Sequence, residues 1–174
     1  MQRLADLVYY GSEYLSLGWV GGSRPSGALR SLYRAPAKLY AWGLGALVAS
    51  HVLVLTTTGR RSGLERRTPI GYIHDPGTDV YFLTAGWKGH TDWKRNLDAN
   101  PAAAVQVGRR QFRTITRAAT DDEARWVFAE YRRRNPFADR LILRDTGIAA
   151  SDDDDTLRRL AEHYPVVALP AGPR

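Results

Sequence analysis

Residues 52–74 read VLVLTTTGRRSGLERRTPIGYIH, two runs rich in β-branched residues on either side of a turn that has a glycine at each end. Such runs predict a β-hairpin with strands at Val52–Thr58 and Arg66–His74. The turn region carries four arginines, the first at Arg60 and the last at Arg67. Guanidinium groups bind phosphate and carboxylate in bidentate fashion, and the backbone amides of a glycine-containing tip can form an anion nest. The stretch therefore predicts an anion-binding hairpin tip, with a solvated basic hairpin as the alternative.

The chain beyond this hairpin alternates short apolar runs with turn and helix signals. Further strands are predicted at Val80–Thr84, Ala103–Val107, Gln111–Ala119 and Val166–Leu169. Helices are predicted at 91–100, from a capping box at Thr120 and Glu123 to Arg134, and at Thr156–His163. Six strands joined mainly by hairpins favour a mostly antiparallel barrel, because closure removes the edges of the sheet. The expected fold is α+β, with a six-stranded barrel and peripheral helices.

Residues 1–50 have a different character and predict two helices, at 1–17 and 26–50, joined by a glycine-rich loop. We therefore expect an N-terminal helical extension, 1–50, packed on or beside the barrel domain, 51–174. Residues 39–59 carry no formal charge, which is long enough to consider a membrane span. Gly43, Gly45 and the switch to β-branched residues favour half helix and half strand instead. Peripheral membrane contact through residues 1–50 stays open.

The composition excludes several classes of protein. The chain of 174 residues has no cysteine, so it forms neither disulfides nor thiolate metal sites. Its four histidines lack metal-ligand spacing, and no metal site is expected. The net charge of +7 attracts phosphates, nucleic acid, anionic lipid or a carboxylate-rich cofactor. Without a basic recognition helix or an aromatic strand platform, nucleic acid is not the expected partner. The N-terminus lacks the pattern of a secretory signal, so we expect a cytoplasmic protein.

A second constellation, TAGWKGHTDWKRNL, occupies residues 84–97. Here a strand is expected to end in a glycine-flanked loop that leads into a helix. The N-terminus of a helix offers free N–H groups and a partial positive charge to an anion. Trp87 and Trp93 could supply flat surfaces against a planar ring, and Lys88 adds a positive charge. For Trp93, a place in the core is the alternative.

The segments TTTGRRSGLERRTPIGYI at 56–73 and DWKRNLDANPAAAVQVG at 92–108 together resemble the family of deazaflavin (F420)-dependent nitroreductases and F420H2-dependent quinone reductases. The resemblance covers about residues 53–125, with a weaker echo at 164–170. It implies a split β-barrel like that of flavin reductases, with coenzyme F420 as cofactor. It also implies hydride transfer from reduced F420 to a small organic acceptor such as a quinone, a nitro compound or an activated double bond. The cofactor supplies the hydride, and the protein supplies position and electrostatics.

The resemblance further implies a cofactor site built from the hairpin tip, the strand after it and the tryptophan-bearing loop. Its expected members are Arg60, Arg61, Ser62, Gly63, Arg66, Thr68, Pro69, Trp87, Lys88, Trp93 and Asn96. No side chain is assigned as catalytic. The region expected to hold substrate departs from the family pattern of closely spaced tyrosines, and Tyr131 and Phe137 are the candidates to line a pocket there. An extra segment, Leu141–His163, follows.

The alternative function is that of a related split-barrel protein that binds FMN, haem or a fatty acid without this turnover. Such a barrel with basic loops would suit any of these ligands. Whether the chain acts as a monomer or an oligomer stays open.

Overall fold

The structure, a computed structural model, describes residues 51–172 other than 87, 88, 136, 150 and 152. The two helices predicted in 1–50, and the predicted site residues Trp87 and Lys88, lie outside the described residues. The strands are β1 (Val52–Thr58), β2 (Glu65–Gly71), β3 (Ile73–Asp75), β4 (Val80–Thr84), β5 (Ala102–Val107), β6 (Arg110–Ile115), β7 (Arg117–Ala118) and β8 (Val166–Pro170). The helices are α1 (Asp92–Ala99), α2 (Asp121–Arg134), α3 (Ala138–Thr146) and α4 (Asp154–His163).

The described strands form two antiparallel sheets of four strands each. The first sheet has the order β2-β1-β5-β6 and the second has the order β3-β4-β8-β7. The predicted α+β class is confirmed, but the prediction of one six-stranded barrel is wrong. Two of the six predicted strands each divide in two, because the chain leaves one sheet and enters the other part-way along them.

The two points of division are Tyr72 and Thr116. The backbone N–H of Tyr72, between β2 and β3, donates to the carbonyl of His51 at 3.1 Å. The backbone N–H of Thr116, between β6 and β7, donates to the carbonyl of Pro101 at 2.9 Å. Strands that switch sheets at corners in this way let two sheets share one interior.

Side chains from both sheets meet in an interior that we call the barrel core. Alternate residues of β1, β4, β5 and β8 point into it, as expected for a strand period of two. Helix α1 closes part of it with Trp93 and Leu97. Its buried members are Leu53, Leu55, Tyr81, Leu83, Ala85, Trp93, Leu97, Ala103, Val105, Val167 and Leu169.

The opposite face of the second sheet packs against α2, α3 and α4, forming the helical layer. Phe82 and Ala168 face this layer, whereas their strand neighbours Leu83 and Val167 face the barrel core. Both faces of β4 and β8 are therefore buried, which explains why these strands are apolar at nearly every position. No helix among residues 51–172 that the structure describes is long and apolar enough to cross a membrane.

The predicted capping box of α2 is confirmed. The side chain of Thr120 accepts a hydrogen bond from the backbone N–H of Glu123 at 3.2 Å, and the Glu123 carboxylate accepts one from the backbone N–H of Thr120 at 2.8 Å. Helix α4 begins in a related way, since the Asp153 carboxylate accepts from the backbone N–H of Thr156 at 2.8 Å. Asp153 is thus the N-cap residue of α4.

Candidate functional site

The hairpin tip between β1 and β2 is a compact turn over residues 59–64. The carbonyl of Gly59 accepts hydrogen bonds from the backbone N–H groups of Ser62 and Gly63 at 3.1 and 2.8 Å, and its N–H donates to the carbonyl of Leu64 at 2.8 Å. A Cβ on Gly59 would lie 2.8 Å from Ser62 Oγ and 3.1 Å from that carbonyl, so the turn has no room for a side chain there. Gly63 has φ of 67°, in the left-handed region that favours glycine.

The backbone donors of the tip are mostly used within the protein. The N–H groups of Gly59, Ser62 and Gly63 bind carbonyls of the turn, that of Leu64 donates to Ser62 Oγ at 3.4 Å, and that of Arg60 donates to Asn96 Oδ1 at 3.2 Å. Among residues 59–64 this leaves the N–H of Arg61 for a ligand. Anion binding at the tip would therefore depend on its guanidinium groups rather than on a nest of amides.

Arg60 joins the tip to α1. Its Nη1 donates to Asn96 Oδ1 at 3.0 Å, and its Nη2 lies 3.1 Å from Asp92 Oδ1. Asn96, which is 4% exposed, completes the connection by donating from Nδ2 to Thr57 Oγ1 at 3.2 Å. We call the residues Thr57, Arg60, Asp92 and Asn96 the tip clamp. It brings together the two segments that the sequence singled out, and it uses Arg60 and Asn96 as positioning residues.

The other three arginines of the hairpin differ in their partners. Arg66 donates to Ser62 Oγ at 3.2 Å, and Arg67 donates to Gln106 Oε1 at 3.3 Å. Because β1 lies between β2 and β5, the Arg67 side chain crosses β1 to reach Gln106. Arg61 is exposed and makes no hydrogen bond or ion pair with the rest of the described chain. Residues 59–67 carry four arginines and one glutamate, so the tip is strongly cationic.

In β2, the strand after the tip, the side chains of Thr68 and Pro69 point to opposite faces of the sheet. Thr68 pairs with Leu55, whose side chain lies in the barrel core, and Pro69 pairs with Val54 on the opposite face. Both residues are half-buried. Because successive residues of a strand point to opposite faces, the two side chains cannot contact one ligand from the same side.

The start of α1 contributes a buried hydroxyl and a buried indole. Trp93 is 8% exposed and packs in the barrel core, which is the place that the sequence offered as its alternative. Thr91 is the N-cap residue but its side chain makes no capping hydrogen bond. Among the described residues, Thr91 Oγ1 is the buried side-chain polar atom without a hydrogen-bond partner. A buried hydroxyl without a partner is unfavourable, so a ligand oxygen would stabilise it.

Tyr131 and Phe137, the candidates for a substrate pocket, lie in the helical layer. The Tyr131 hydroxyl accepts a hydrogen bond from Asn135 Nδ2 at 2.8 Å, and its ring packs against the buried residues of that layer. The backbone N–H of Phe137 donates to Asn135 Oδ1 at 2.8 Å. This layer covers the face of the second sheet that points away from the barrel core. The structure thus does not bring these two residues to the hairpin tip.

A charged cluster that the sequence did not indicate lies at the end of the barrel core away from the hairpin tip, and we call it the Asp79 cluster. Arg110 donates from Nη1 and Nη2 to the Asp79 carboxylate at 2.8 and 2.6 Å, and His74 Nε2 lies 3.0 Å from the same carboxylate. The His74 ring stacks on Tyr81 with 4.2 Å between ring centroids. Hydrogen bonds from Arg110 and His74 hold the pKa of Asp79 well below its usual value.

The Asp79 cluster joins the two sheets. Asp79 precedes β4 of the second sheet, and Arg110 begins β6 of the first. Asp79 has φ of 53°, a conformation that non-glycine residues adopt rarely, although aspartate is among those that tolerate it. In the sequence, the residues Asp75-Pro76-Gly77-Thr78 just before Asp79 indicate a turn but no charged cluster. The partner Arg110 lies 31 residues away, so local pattern could not find it.

Two antiparallel four-stranded sheets with a shared interior and helices on one face define a small α+β domain, and its hairpin tip is cationic. The chain belongs to the family described as F420H(2)-dependent quinone reductase, whose sequence model matches residues 35–150. It is therefore an oxidoreductase, and its cofactor is coenzyme F420.

Solved structures with a similar chain course include an F420-H2-dependent reductase (FDR-A), at 21% identity and a TM-score of 0.49 over 68% of this chain and 92% of that one. A second is the heme storage protein HutZ from Vibrio cholerae, at 14% identity and a TM-score of 0.47 over 79% and 90%. A third is a pyridoxamine 5'-phosphate oxidase-like protein from Listeria innocua, at 12% identity and a TM-score of 0.45 over 77% and 90%.

The cationic residues beside the tip clamp fit an F420-type cofactor in their chemistry. The phosphodiester and carboxylates of F420 require cationic groups, which Arg61 and Arg66 offer next to the clamp. The hydroxyl of Thr91, buried and without a hydrogen-bond partner among the described residues, lies at the start of α1. Among the described residues there is no group of three or more His, Asp or Glu placed to hold a metal ion.

Proposed function

We propose that this chain binds reduced F420 against the surface formed by the hairpin tip and the start of α1 and transfers hydride to a small organic acceptor such as a quinone, a nitro compound or an activated double bond. The observation that carries the proposal is the tip clamp, because it fixes the cationic tip against α1 within a family that uses this cofactor. When bound, the cofactor supplies the hydride.

The residues would divide the work of binding. Arg61 and Arg66 would bind the anionic groups of the cofactor, and Arg60 and Asn96 would hold the tip in place. Thr91 Oγ1 would donate to a cofactor oxygen, and Lys88 would add a positive charge in the same loop. Ser62 and Gly63 would act on the shape of the turn, since Ser62 Oγ already accepts from Arg66 and Gly63 has a left-handed backbone conformation. Because Trp93 is buried in the barrel core, it would support the binding surface rather than stack on the ring system of the cofactor.

Thr68 and Pro69 would approach the ring system from the strand that follows the tip. Only Thr68 shares the face of β2 that looks toward the barrel core, so its hydroxyl is the better candidate for a direct contact. A donor at this position would orient the ring system, while the negative charge carried by the hydride passes to the acceptor. No side chain of this surface is needed as a nucleophile, which agrees with a reaction in which the protein positions and polarises its ligands.

Titration of the purified full chain with oxidised and reduced F420, followed by the absorbance and fluorescence of the cofactor, tests the location of the site. Replacing Arg61 and Arg66 together by alanine should weaken binding at least about tenfold, because the loss of each guanidinium removes a charge-assisted hydrogen bond to the cofactor. Arg140 and Arg159 are exposed arginines of the helical layer, and the pair Arg140→Ala with Arg159→Ala provides a control with the same loss of charge. Equal affinities for the two double variants would disprove the proposed location.

The acceptor is tested under anaerobic conditions by oxidation of reduced F420 in the presence of a quinone, a nitroaromatic compound or an activated alkene. Each acceptor is supplied at the same concentration with a control that lacks protein. We expect protein-dependent oxidation with at least one of the three. The proposal for the acceptor fails if F420 binds but none of the three classes accelerates its oxidation.

A further inference from the structure

We propose that Asp92 competes with the anionic cofactor for Arg60 and thereby limits the affinity of the site, an inference that rests on the proposed function. The guanidinium of Arg60 makes two different contacts with α1, one to the amide of Asn96 and one to the carboxylate of Asp92. These contacts differ in burial and in charge. That difference assigns them different roles.

The contact with Asn96 is part of the folded framework. Asn96 is 4% exposed, and its amide accepts from both the backbone N–H and Nη1 of Arg60 while donating to Thr57. Breaking it would leave a buried amide without partners, which is costly. This contact therefore persists whether or not a ligand is bound.

The contact with Asp92 is of the opposite kind. The Asp92 side chain is 75% exposed, and it meets the Nη2 of Arg60 at 3.1 Å. An ion pair with so much exposure contributes little to stability and can exchange partners readily. A phosphate or carboxylate of the cofactor that approaches the tip can therefore take the place of Asp92 at Nη2 while Nη1 stays on Asn96.

Asp92 also has an electrostatic effect of its own. It places a negative charge at the first turn of α1, beside the buried hydroxyl of Thr91 and within reach of the tip. A negative charge near a site for an anion opposes binding of that anion. Asp92 thus lowers affinity both by holding Arg60 and by repelling the ligand. The consequence is a cofactor that exchanges between the protein and solution rather than one that stays bound.

The experiment measures the dissociation constant of F420 for wild type and Asp92→Asn by the cofactor's own fluorescence, without acceptor present. Asp92→Asn should bind about three- to tenfold more tightly, as expected for removing one charge a short distance from an anion in a largely solvated site. Asp92→Glu keeps the charge and should stay within about twofold of wild type. The control is Asp98→Asn, which removes a charge of the same helix from an ion pair with Lys94 and should change affinity by less than about twofold.

A second background separates competition from other effects of the substitution. In the presence of Arg60→Met, Asp92→Asn should gain no more than about twofold, because the substitution then removes only the screened repulsion of the anion and no longer releases Arg60. Equal gains in both backgrounds would overturn the proposal, and so would unchanged or weaker binding by Asp92→Asn in the wild-type background. These outcomes differ from failure of the proposed function, in which wild type binds no F420 or Arg61→Ala with Arg66→Ala binds as tightly as wild type.

Discussion

The Asp79 cluster predicts that Asp79→Asn destabilises the protein by about 2 kcal/mol. Exposed ion pairs contribute about 0–1 kcal/mol, and breaking a buried one costs about 3–5 kcal/mol. The side chains of Asp79 and Arg110 are 25% and 27% exposed, which places this pair between the two limits. Asparagine tolerates the left-handed conformation of Asp79, so the substitution changes the charge and the hydrogen bonds without adding backbone strain.

Thermal and chemical unfolding of the purified protein provide the assay. For a chain of this size, about 2 kcal/mol corresponds to a fall in Tm of about 4–8 °C. Arg110→Met keeps the aliphatic stem beside Tyr81 and Phe112 while removing the charge. The double variant Asp79→Asn with Arg110→Met should lose about 1–2 kcal/mol less unfolding free energy than the two single variants lose in sum. The reason is that each single variant leaves one charged or polar partner unpaired, whereas the double variant removes both partners. Additive losses would refute a direct interaction.

The dependence on pH provides an independent check. The pKa of Asp79 is lowered in the folded protein by hydrogen bonds from Arg110 and His74. A carboxyl with a lowered folded pKa stabilises the protein above its unfolded pKa, near 3.9, and loses that contribution as pH falls toward the folded value. The difference in unfolding free energy between wild type and Asp79→Asn should therefore be full at pH 7 and shrink below about pH 4. A difference that grew on acidification would contradict this reasoning.

Two further predictions concern single residues of the framework. Asn96→Leu should lower stability by about 2–3 kcal/mol, because it leaves Thr57 and the Arg60 backbone without their partners, and it should also weaken F420 binding; an affinity equal to that of wild type would show that the tip needs no clamp. Thr120→Ala should lower stability by about 1 kcal/mol through loss of the capping box and leave F420 affinity unchanged, as measured by thermal unfolding and by titration; an unchanged Tm would contradict the role of the cap.

The strands were predictable from local pattern wherever one sheet holds the whole strand. The predicted bounds of Val52–Thr58 and Val80–Thr84 agree with the structure, because their runs of apolar residues are bounded by turns on both sides. The predicted strands Arg66–His74 and Gln111–Ala119 are each divided by a corner. The alternation of side chains continues through both corners, so no local signal marks them. The hydrogen bonds that fix the two corners are accepted by the backbone carbonyls of His51 and Pro101, which are distant in sequence.

The proximity of the two segments was predictable, but the contacts of each residue were not. The sequence indicated that the hairpin and the residues around Trp93 and Asn96 belong to one site, and the tip clamp brings these segments together. It could not indicate that Asn96 binds Arg60, because the partners are 36 residues apart. Tyr131 was a candidate to line a substrate pocket, and the periodicity of α2 directs its ring into the helical layer.

The four arginines of the hairpin have different roles, since most of them hold the tip in place and Arg61 stays available to an anionic ligand. A tip with only free arginines would repel itself and would have no fixed position over the barrel. Arg60 is held by α1, Arg66 by Ser62 and Arg67 by Gln106, while Arg61 keeps its guanidinium for solvent or ligand. Because the neutral acceptors Asn96, Ser62 and Gln106 orient these side chains without cancelling their charge, the tip is ordered and still attracts anions. The carboxylate of Asp92 is the exception on Arg60, and it is the contact that an incoming anion can replace.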